Sequence, residues 1–396
     1  MRMISSFKGQ AIIVFFLCYL LSCKSNDETT LPGNNTNSDT TKVVSEIKTV
    51  LFAKGTNNYS CFRIPAIVKT TKGTLLAFAE GRKNDCGDNG DIDMVLKRST
   101  DNGKTWGNLQ VIWSDGTNTC GNPAPVVDQS TGRIYLLMSW NLGSDDIGPI
   151  DAGTSADTRR AYVTHSDDDG LTWSTPVEIT SSVKKPEWGW YATGPCHGIQ
   201  LTAKGAYAGR LVIPCDNIEL SSAGGNGHSH VIYSDDHGAT WKLGGITPDA
   251  SVSPNESSVA ELSNGNLMLN MRCKNNNYRR IISKSLDGGS SWNGLSTDYA
   301  LVDPSCQGSL LAADISGVHT LFFSNAASSS RTNMTIKMSK DDGTSWAKSY
   351  QVCSGPSAYS DIAMISDQMI AILFETGNSS PYEGITFETI QLKDFL

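Results

Sequence analysis

The sequence predicts an all-β protein, built as a β-propeller from four-stranded antiparallel blades. The pattern S-x-D-x-G-x-[ST]-W begins at Ser99 and returns at Ser166, Ser234, Ser285 and Ser339. The steps between successive copies are 67, 68, 51 and 54 residues, a spacing that suits one blade per copy. Charged residues make up 18% of the chain and 37 of its 396 residues are glycine, which fits strands and turns better than helices.

Each copy of the repeat predicts a tight turn between two strands. Its Asp side chain can accept hydrogen bonds from backbone N–H groups ahead of it, and its Gly can adopt a positive φ. We expect the closing Trp, such as Trp106, to pack the turn against its own blade. The repeat therefore predicts an architecture and carries no information about chemistry.

Length and charge narrow the remaining possibilities. A chain of this length could form two or three domains, but the repeat spans most of it and predicts one large domain over residues 43–396. The net charge of −8 at pH 7 disfavours nucleic acid and a basic membrane-binding surface. An acidic surface is still compatible with a local basic pocket.

The first 42 residues predict an export signal followed by a tether. An apolar run from residue 11 to 21 follows two basic residues and is too short to cross a bilayer as a mature helix. Leu20-Leu21-Ser22-Cys23 resembles a bacterial lipobox, so we expect residues 1–22 to be removed and Cys23 to be lipidated. A cleaved, unlipidated secretory signal is the alternative. Residues 23–42 are polar and predict a flexible tether.

The cysteines permit disulfides but do not specify them. Eight lie beyond residue 23, at positions 61, 86, 120, 196, 215, 273, 306 and 353. An even set in an exported protein is compatible with disulfides, and the spacing leaves the pairing open. None of the cysteines has the CxxC or Cys/His spacing of a zinc site, so we expect no metal.

Arg63 is the first candidate functional residue. It lies within Phe62-Arg63-Ile64-Pro65, among apolar residues at the start of a predicted strand. Burying an unpaired charge is costly, so a nearby carboxylate or an anionic ligand is expected. The alternative is a solvated arginine at a strand end.

The Phe62-Arg63-Ile64-Pro65 motif and the repeats together resemble the sialidase (neuraminidase) family of six-bladed propellers, over residues 47–396. The resemblance implies a retaining exo-α-sialidase that works through a sialyl-tyrosine intermediate, with no metal or organic cofactor. Three arginines would bind the substrate carboxylate: Arg63, Arg272 and Arg331. The other implied site residues are Tyr359 as nucleophile, Glu256 as its base, Asp88 as general acid/base, Glu375 orienting Arg63, and Arg82 and Asn122 lining the pocket.

Several of these positions have competitors in the sequence. Asp85 competes with Asp88 as the acid, and Glu261 competes with Glu256 but is expected to be structural. His197 could act as a base, although a single His without a matching nucleophile is more often structural.

Two further segments contain residues that could line a binding site. Arg279 and Arg280 are expected to form a solvated hairpin. The aromatic segment from residue 187 to 198 fits a sugar-stacking rim and blade-to-blade packing equally well.

The C-terminal strand completes the predicted architecture. Residues 384–392 predict a last strand that could close the ring with an N-terminal strand at residues 49–53. Five blades with a repeat and one without then make six.

The implied partners are terminal sialic acids on glycoproteins, gangliosides and oligosaccharides, and no nucleic acid. We expect a monomer that meets a membrane only through the lipid on Cys23. It would be exported, as an outer-membrane or cell-surface lipoprotein or as a periplasmic or secreted protein. Three rival interpretations are a sialidase-like transferase, a non-catalytic sialic-acid lectin on the same propeller, and a propeller without a pocket.

Overall fold

The computed structural model describes residues 47–202, 206–221, 223–248, 251–275 and 277–396. The predicted signal, the tether and Cys23 lie outside these residues. The part of the chain that is described consists of strands joined by turns, with two short helices and one 3-10 turn. No helix in this part is both long and apolar enough to cross a membrane.

The first nine strands and both helices lie before residue 184. The strands are β1 (Lys48–Ala53), β2 (Cys61–Lys69), β3 (Leu75–Arg82), β4 (Ile92–Ser99), β5 (Gln110–Trp113), β6 (Thr119–Val127), β7 (Ile134–Asn141), β8 (Arg160–Ser166) and β9 (Val177–Glu178). The helices are α1 (Ile147–Ala152) and α2 (Thr180–Val183).

Fifteen further strands follow in the described residues. They are β10 (Trp188–Thr193), β11 (Ile199–Gln200), β12 (Leu211–Glu219), β13 (Gly227–Ser234), β14 (Lys242–Ile246), β15 (Pro254–Glu261), β16 (Leu267–Cys273), β17 (Arg279–Ser285), β18 (Ser296–Val302), β19 (Ser309–Ile315), β20 (Val318–Ala326), β21 (Thr332–Ser339), β22 (Lys348–Ser366), β23 (Met369–Thr376) and β24 (Gly384–Gln391). The 3-10 turn is Leu392–Asp394.

The strands form antiparallel groups in chain order, which we number 1 to 6. Groups 1 to 4 are β2–β5, β6–β9, β10–β14 and β15–β18. Group 5 is β19–β21 with the first part of β22, and group 6 is the rest of β22 with β23, β24 and β1. Groups 1 and 2 touch through one parallel bridge between Ile92 and Thr119. Groups 5 and 6 share β22, a strand of 19 residues.

The central strands of each group are buried on both faces. β3 and β7, with sequences LLAFAEGR and IYLLMSWN, are buried at every position, so their near-continuous apolar runs pack against neighbours on either side. One strand from each group takes part in a closed circle of contacts. The circle runs from β2 to β6, β11, β15, β19 and β22, and from β22 back to β2.

The N-terminal strand completes the last group. β1 pairs antiparallel with β24, with Lys48 opposite Glu388 and Ala53 opposite Gly384. This pairing confirms the prediction that the last strand would join the first. It links residues that lie more than 300 positions apart in the chain, so the two ends of the domain hold each other.

The repeated turns have one geometry. In the first copy, Asp101 Oδ1 accepts a hydrogen bond from the backbone N–H of Thr105 at 2.9 Å, and Oδ2 accepts one from its hydroxyl at 2.7 Å. Ser99 Oγ accepts a bond from Gly103 N–H at 2.8 Å, and Gly103 has φ 85°. The same Asp contacts recur at Asp168, Asp236, Asp287 and Asp341.

The tryptophans of these turns correct one expectation, because they contact the preceding group as well as their own turn. Trp106 stacks edge-on against Phe387 of group 6, with ring centroids 5.0 Å apart. Trp241 stacks in the same way on Tyr135 of group 2. The same holds for the other three, with Trp173 on Phe78, Trp292 Nε1 donating to Gly245 O and Trp346 Nε1 donating to Asp298. A turn at the edge of one group thus holds the neighbouring group in place.

Trp241→Ala should therefore destabilise the whole domain. Its ring is only 3% exposed, and emptying a buried Trp site costs about 3–5 kcal/mol of unfolding free energy. Urea denaturation followed by circular dichroism measures this change. Trp106→Ala is the control, because Trp106 is half-buried and should cost less. An unchanged urea midpoint for Trp241→Ala would contradict the role given to this ring.

A buried carboxylate joins strands from four groups where the first strands meet. Asp361 of β22 is fully buried and accepts hydrogen bonds from Ile67 N–H at 2.8 Å and from the Ser309 hydroxyl at 2.6 Å. It also contacts both the backbone N–H and the imidazole Nδ1 of His197, at 3.1 and 2.7 Å. Burial alone would lower the pKa of His197, but the Asp361 charge outweighs it and raises that pKa.

The predicted solvated arginine hairpin is wrong for Arg280. This side chain is fully buried, donates to Cys306 O at 2.6 Å and to Asn270 Oδ1 at 2.7 Å, and lies 3.5 Å from the Asp303 carboxylate. β17 alternates between the two faces of its group, and this alternation turns Arg280 inward. An Arg-Arg pair in sequence therefore did not indicate two solvated charges.

Candidate active site

Tyr359 of β22 lies at the centre of the predicted site. Its hydroxyl donates to the Glu256 carboxylate, at 2.7 Å from Oε1 and 2.9 Å from Oε2. Arg272 Nη1 donates both to this hydroxyl, at 2.9 Å, and to Glu256 Oε2, at 2.7 Å. Glu256 and Arg272 lie on neighbouring strands β15 and β16, whose register shifts between Pro254 and Ser257. The structure thus brings together a phenol, a carboxylate and a guanidinium from three strands.

The environment of Tyr359 keeps its hydroxyl protonated. Burial raises the pKa of Tyr359 well above its ordinary value, and the Glu256 charge raises it further, while Arg272 opposes both. A phenol in this state is a weak nucleophile, so it needs a base at the moment of attack. Glu256, already within hydrogen-bond distance of the hydroxyl, can take the proton.

Arg63 is paired with a buried carboxylate, as its position in the sequence predicted. Its Nε donates to Glu375 Oε1 at 2.8 Å. Glu375 is fully buried and also accepts from the backbone N–H groups of Ile64 and Tyr359, at 3.0 and 3.1 Å. Ile64 has φ 59°, and β2 changes register between Arg63 and Ala66. One carboxylate therefore fixes the guanidinium of Arg63 and the backbone at Tyr359 together.

The third predicted arginine approaches the same phenol. Arg331 precedes β21, and its guanidinium carbon lies 5.5 Å from the centroid of the Tyr359 ring. Arg63 lies 5.1 Å from that centroid. Arg272 is the guanidinium already bonded to the hydroxyl. Three fixed positive charges from groups 1, 4 and 5 thus converge on one ring.

Arg82 and Asp88 form the wall next to Arg63. Arg82 Nη1 donates to Asp88 Oδ1 at 2.8 Å, and Arg63 Nη1 lies 3.5 Å from the same oxygen. Glu80 accepts from the other side of the Arg82 guanidinium, at 2.5 and 2.9 Å. Desolvation would raise the pKa of Asp88, but Arg82 and Arg63 outweigh it and lower the pKa. Asp85 instead accepts the backbone N–H of Gly87 at 2.6 Å.

Asn122 contacts the Glu80 carboxylate of this wall and the neighbouring Arg159. It is 7% exposed, and its side-chain oxygen accepts a hydrogen bond from the buried Arg159. Its backbone N–H donates to Glu80 at 2.7 Å. Its side-chain amide can still donate hydrogen bonds, so the pocket-lining role of Asn122 stays a prediction.

The other competitors lie away from this cluster. Glu261 is at the far end of β15 from Glu256 and accepts the backbone N–H of Thr202 at 2.7 Å. His197 contacts Asp361, as described above. In the aromatic segment, Trp188 and Tyr191 are buried in the core, whereas Trp190 is half-buried with its ring 3.8 Å from the Arg159 guanidinium.

Three residues at the site were not predicted from the sequence. The Tyr382 hydroxyl accepts from Arg331 Nη1 at 2.5 Å, and the Arg63 guanidinium lies 4.4 Å from its ring. Arg159 supports Asn122, and the fully buried Asp216 accepts from Asn255 Nδ2 at 2.9 Å. Burial raises the pKa of Asp216 well above its ordinary value. None of the three lies in a recognisable motif, so only their contacts identify them.

Among the described residues, no group of three or more His, Cys, Asp or Glu side chains is arranged to hold a metal ion. The side chains gathered at the site are two phenols, five carboxylates and a set of arginines, the carboxylates being Glu80, Asp88, Asp216, Glu256 and Glu375. Such a site can bind an anion, move protons between oxygens and make a covalent bond through Tyr359.

Comparison with known proteins gives consistent matches. The model of the BNR repeat-like domain family matches residues 73–372. A sialidase of Bacteroides fragilis is 33% identical over 367 residues, covering 86% of this chain and 64% of that protein. An exo-alpha-sialidase of Aspergillus fumigatus is 34% identical over 302 residues, covering 72% of this chain and 68% of that protein.

Some relatives are longer than this chain, and one solved structure is similar over most of it. A sialidase of Micromonospora viridifaciens is 33% identical, with coverage of 84% of this chain but 52% of that protein. The chain thus spans between about half and two thirds of the length of these bacterial relatives. The structure of the Hadza microbial sialidase Hz136 superposes with a TM-score of 0.77 at 32% identity, covering 86% of this chain and 67% of that one.

Proposed function

The chain belongs to the sialidase family of glycoside hydrolases, and from that premise we propose that it is a retaining exo-α-sialidase. Its substrates would be terminal α-linked sialic acids on glycoproteins, gangliosides and oligosaccharides. The observation that carries the proposal is the contact of the Tyr359 hydroxyl with both Glu256 and Arg272. A site that only bound sialic acid would need the arginines but not this base and nucleophile.

The arginines suit the carboxylate that sialic acid carries on its anomeric carbon. Arg63, Arg272 and Arg331 can each donate charge-assisted hydrogen bonds, which contribute about 1.5–3 kcal/mol per bond. Arginine stays charged throughout the physiological range and presents a planar fork that lysine lacks. Tyr382, which contacts both Arg63 and Arg331, holds two of the three in place.

The substrate carboxylate also explains why a phenol would be the nucleophile. A carboxylate nucleophile would have to approach the reacting carbon against a like charge, whereas the neutral Tyr359 hydroxyl meets no such repulsion. Tyr359 would attack the anomeric carbon as Glu256 takes its proton, so that the bond to the leaving group breaks and an aryl glycosidic bond between sialic acid and Tyr359 forms. Tyrosine nucleophiles of this kind are a known exception to the two-carboxylate scheme of glycosidases.

Asp88 would serve the leaving group. It would donate a proton to the glycosidic oxygen as that bond breaks, and would then deprotonate the water that attacks the intermediate. Two displacements at the same carbon retain its configuration. The Asp88 side chain is 74% exposed, so a leaving group can reach it.

The strand groups support a six-bladed propeller as the scaffold. Six antiparallel groups follow one another, and the circle of contacts from β2 through β22 closes on itself. Arg63, Glu256 and Tyr359 lie early in β2, in β15 and in the second half of β22. Arg82, Arg272 and Glu375 lie at or near the ends of β3, β16 and β23. In a propeller these ends meet on one face around the axis, which would explain how residues almost 300 positions apart share one site.

The activity should depend on pH in a particular way. An acid with a lowered pKa holds its proton only at low pH, so kcat/KM, which reports the free enzyme, should fall as pH rises from the acidic range. A bound substrate carboxylate would offset part of the Arg63 charge, and the pKa of Asp88 would rise in the complex. We therefore expect the basic limb of the kcat profile to lie at higher pH than that of kcat/KM.

Two substitutions check this assignment. Asp88→Asn should remove the basic limb from both the kcat and the kcat/KM profile. Asp85→Asn should leave both limbs in place, because the Asp85 carboxylate accepts the Gly87 N–H of its own loop. The measurement is the steady-state hydrolysis of sialyllactose from pH 3 to 9. Limbs that coincide in the parent, or an Asp85→Asn profile that resembles Asp88→Asn, would contradict the role of Asp88.

The direct test of the function is the product of residues 43–396 acting on an α-sialoside, followed by ¹H NMR. A retaining hydrolase releases the α-anomer of free sialic acid first. A β-anomer as first product would exclude retention, and an anhydro or newly linked sialic acid would indicate a transferase. Binding without turnover would leave the lectin interpretation.

From the sequence of residues 1–23 we also propose that the protein is exported and that Cys23 is lipidated.

A further inference from the structure

A disulfide joins the two segments that carry Arg63 and Asp88. Cys61, the first residue of β2, is bonded to Cys86 in the loop between β3 and β4. Cys61 lies two residues before Arg63, and Cys86 lies two residues before Asp88. Each cysteine of this crosslink is therefore separated from a site residue by a single position.

The loop that carries Asp88 is hydrogen-bonded at its two ends, where Lys83 N–H donates to Asp91 O and Gly90 O accepts from the Thr119 hydroxyl, and the disulfide holds its middle. Residues 83–91 contain no helix or strand, and most of them are exposed. Asn89 Nδ2 donates to Gly143 O at 3.2 Å, on the far side of Asp88. An exposed loop of this kind samples many conformations unless specific contacts restrict it.

Arg82 supplies the other restraint on the segment around Asp88. Its Nη1 donates to three acceptors at once: Cys86 O at 2.6 Å, Gly87 O at 2.7 Å and Asp88 Oδ1 at 2.8 Å. This geometry requires the backbone at Cys86 and Gly87 to curve around the guanidinium. Arg82 is itself held by Glu80 and cannot follow the loop if the loop moves.

We propose that the Cys61–Cys86 disulfide is the positioning element for the general acid, and that the protonation step of catalysis depends on it. The crosslink holds the Cys86 carbonyl over Arg82, and this in turn keeps the Asp88 carboxyl between Arg82 and Arg63. The inference rests on the proposed function. Arg63 and Arg272 each also have a carboxylate partner outside this loop, Glu375 and Glu256 respectively.

The test is the double variant Cys61→Ser/Cys86→Ser on two substrates with different leaving groups. Hydrolysis of sialyllactose needs a proton on a poor leaving group, so its kcat should fall about 100-fold, as expected for a misplaced catalytic group. An aryl sialoside departs with little protonation, so its kcat should change far less. KM for both should stay close to that of the parent, because the arginines are unchanged.

Reduction of the parent provides the same comparison without a substitution. Dithiothreitol transfers two electrons and two protons to the disulfide, which becomes two thiols, and is itself oxidised to its cyclic disulfide. The reduced parent should lose sialyllactose turnover selectively and recover it on reoxidation. The double variant should be insensitive to the reagent. Cys353→Ser is the control. Cys353 is a partly exposed free thiol in β22, so this variant shows whether loss of a cysteine outside the disulfide changes turnover.

The outcomes separate this inference from the function on which it rests. Equal losses on both substrates, or unchanged turnover of both by the double variant and by the reduced parent, would overturn the positioning role. A parent that turns over neither substrate would overturn the proposed function instead. Selective loss on sialyllactose with an unchanged KM would support both.

Discussion

Tyr359→Phe is expected to lower kcat on an α-sialoside by about 10⁴- to 10⁶-fold, the size of loss seen when a nucleophile or its partner is removed. The substitution removes one oxygen and leaves the ring that Arg63 and Arg331 approach. Because the arginines still bind the substrate carboxylate, KM should change little. A fluorogenic α-sialoside measures both constants. Tyr162→Phe, on β8 away from the site, should behave like the parent.

A trapping experiment makes the same prediction without relying on rates. A 2,3-difluorinated sialic acid forms a glycosyl-enzyme bond that breaks down slowly, because the fluorine beside the anomeric carbon disfavours positive charge there. Mass spectrometry should find the adduct on the peptide that contains Tyr359 in the parent, and none in Tyr359→Phe. An adduct on Glu256 or Asp88, or a Phe variant that keeps a tenth of the parent's kcat, would refute the nucleophile assignment.

Asp361→Ala is expected to cost about 3–5 kcal/mol of unfolding free energy, the range for removing one partner of a buried charge pair. The substitution leaves the Ile67 N–H, the Ser309 hydroxyl and His197 without their shared acceptor. Urea denaturation measures the loss. Asp367→Ala in the exposed turn after β22 is the control and should stay within about 0.5 kcal/mol of the parent. Equal midpoints for the two variants would contradict the role of Asp361.

The same pair predicts how stability changes with pH. The pKa of His197 is raised in the folded protein, above its ordinary value of about 6.5. Its contribution to stability is therefore complete below about pH 6.5 and is lost as the pH rises through the folded pKa. Asp361→Ala should remove this part of the pH dependence.

The sequence predicted the parts of the fold that depend on local chemistry. The Asp and Gly of each repeat form their turn with contacts inside eight residues, as at Asp101 and Gly103. The turn can therefore be predicted from the sequence of any single copy. The pairing of β1 with β24 was also predictable, because an unpaired strand at each end of a repeat array needs a partner. The Trp contacts with the preceding group were not, since they depend on how groups stack.

The predicted site residues were found through family motifs and not through local physics. Glu256 and Arg272 approach Tyr359 from another strand group. The residues next to Tyr359 in the sequence do not indicate this contact. Arg280 shows the same limit from the other side. Its burial depends on Asp303 and Cys306, which lie over twenty residues away, so its position in a pair of arginines was misleading. Tyr382 and Arg159 were missed for the same reason.

The pairing of β1 with β24 has a consequence for how the chain folds. Residues 48–53 are synthesised more than 300 residues before their partners, residues 384–391. Groups 1 to 5 can form in order from nearby segments, but group 6 must wait for β24. Closing a loop of this size makes this pairing slow. Until β24 is available, β1 is an exposed edge that can pair with another chain, so aggregation competes with folding during this interval.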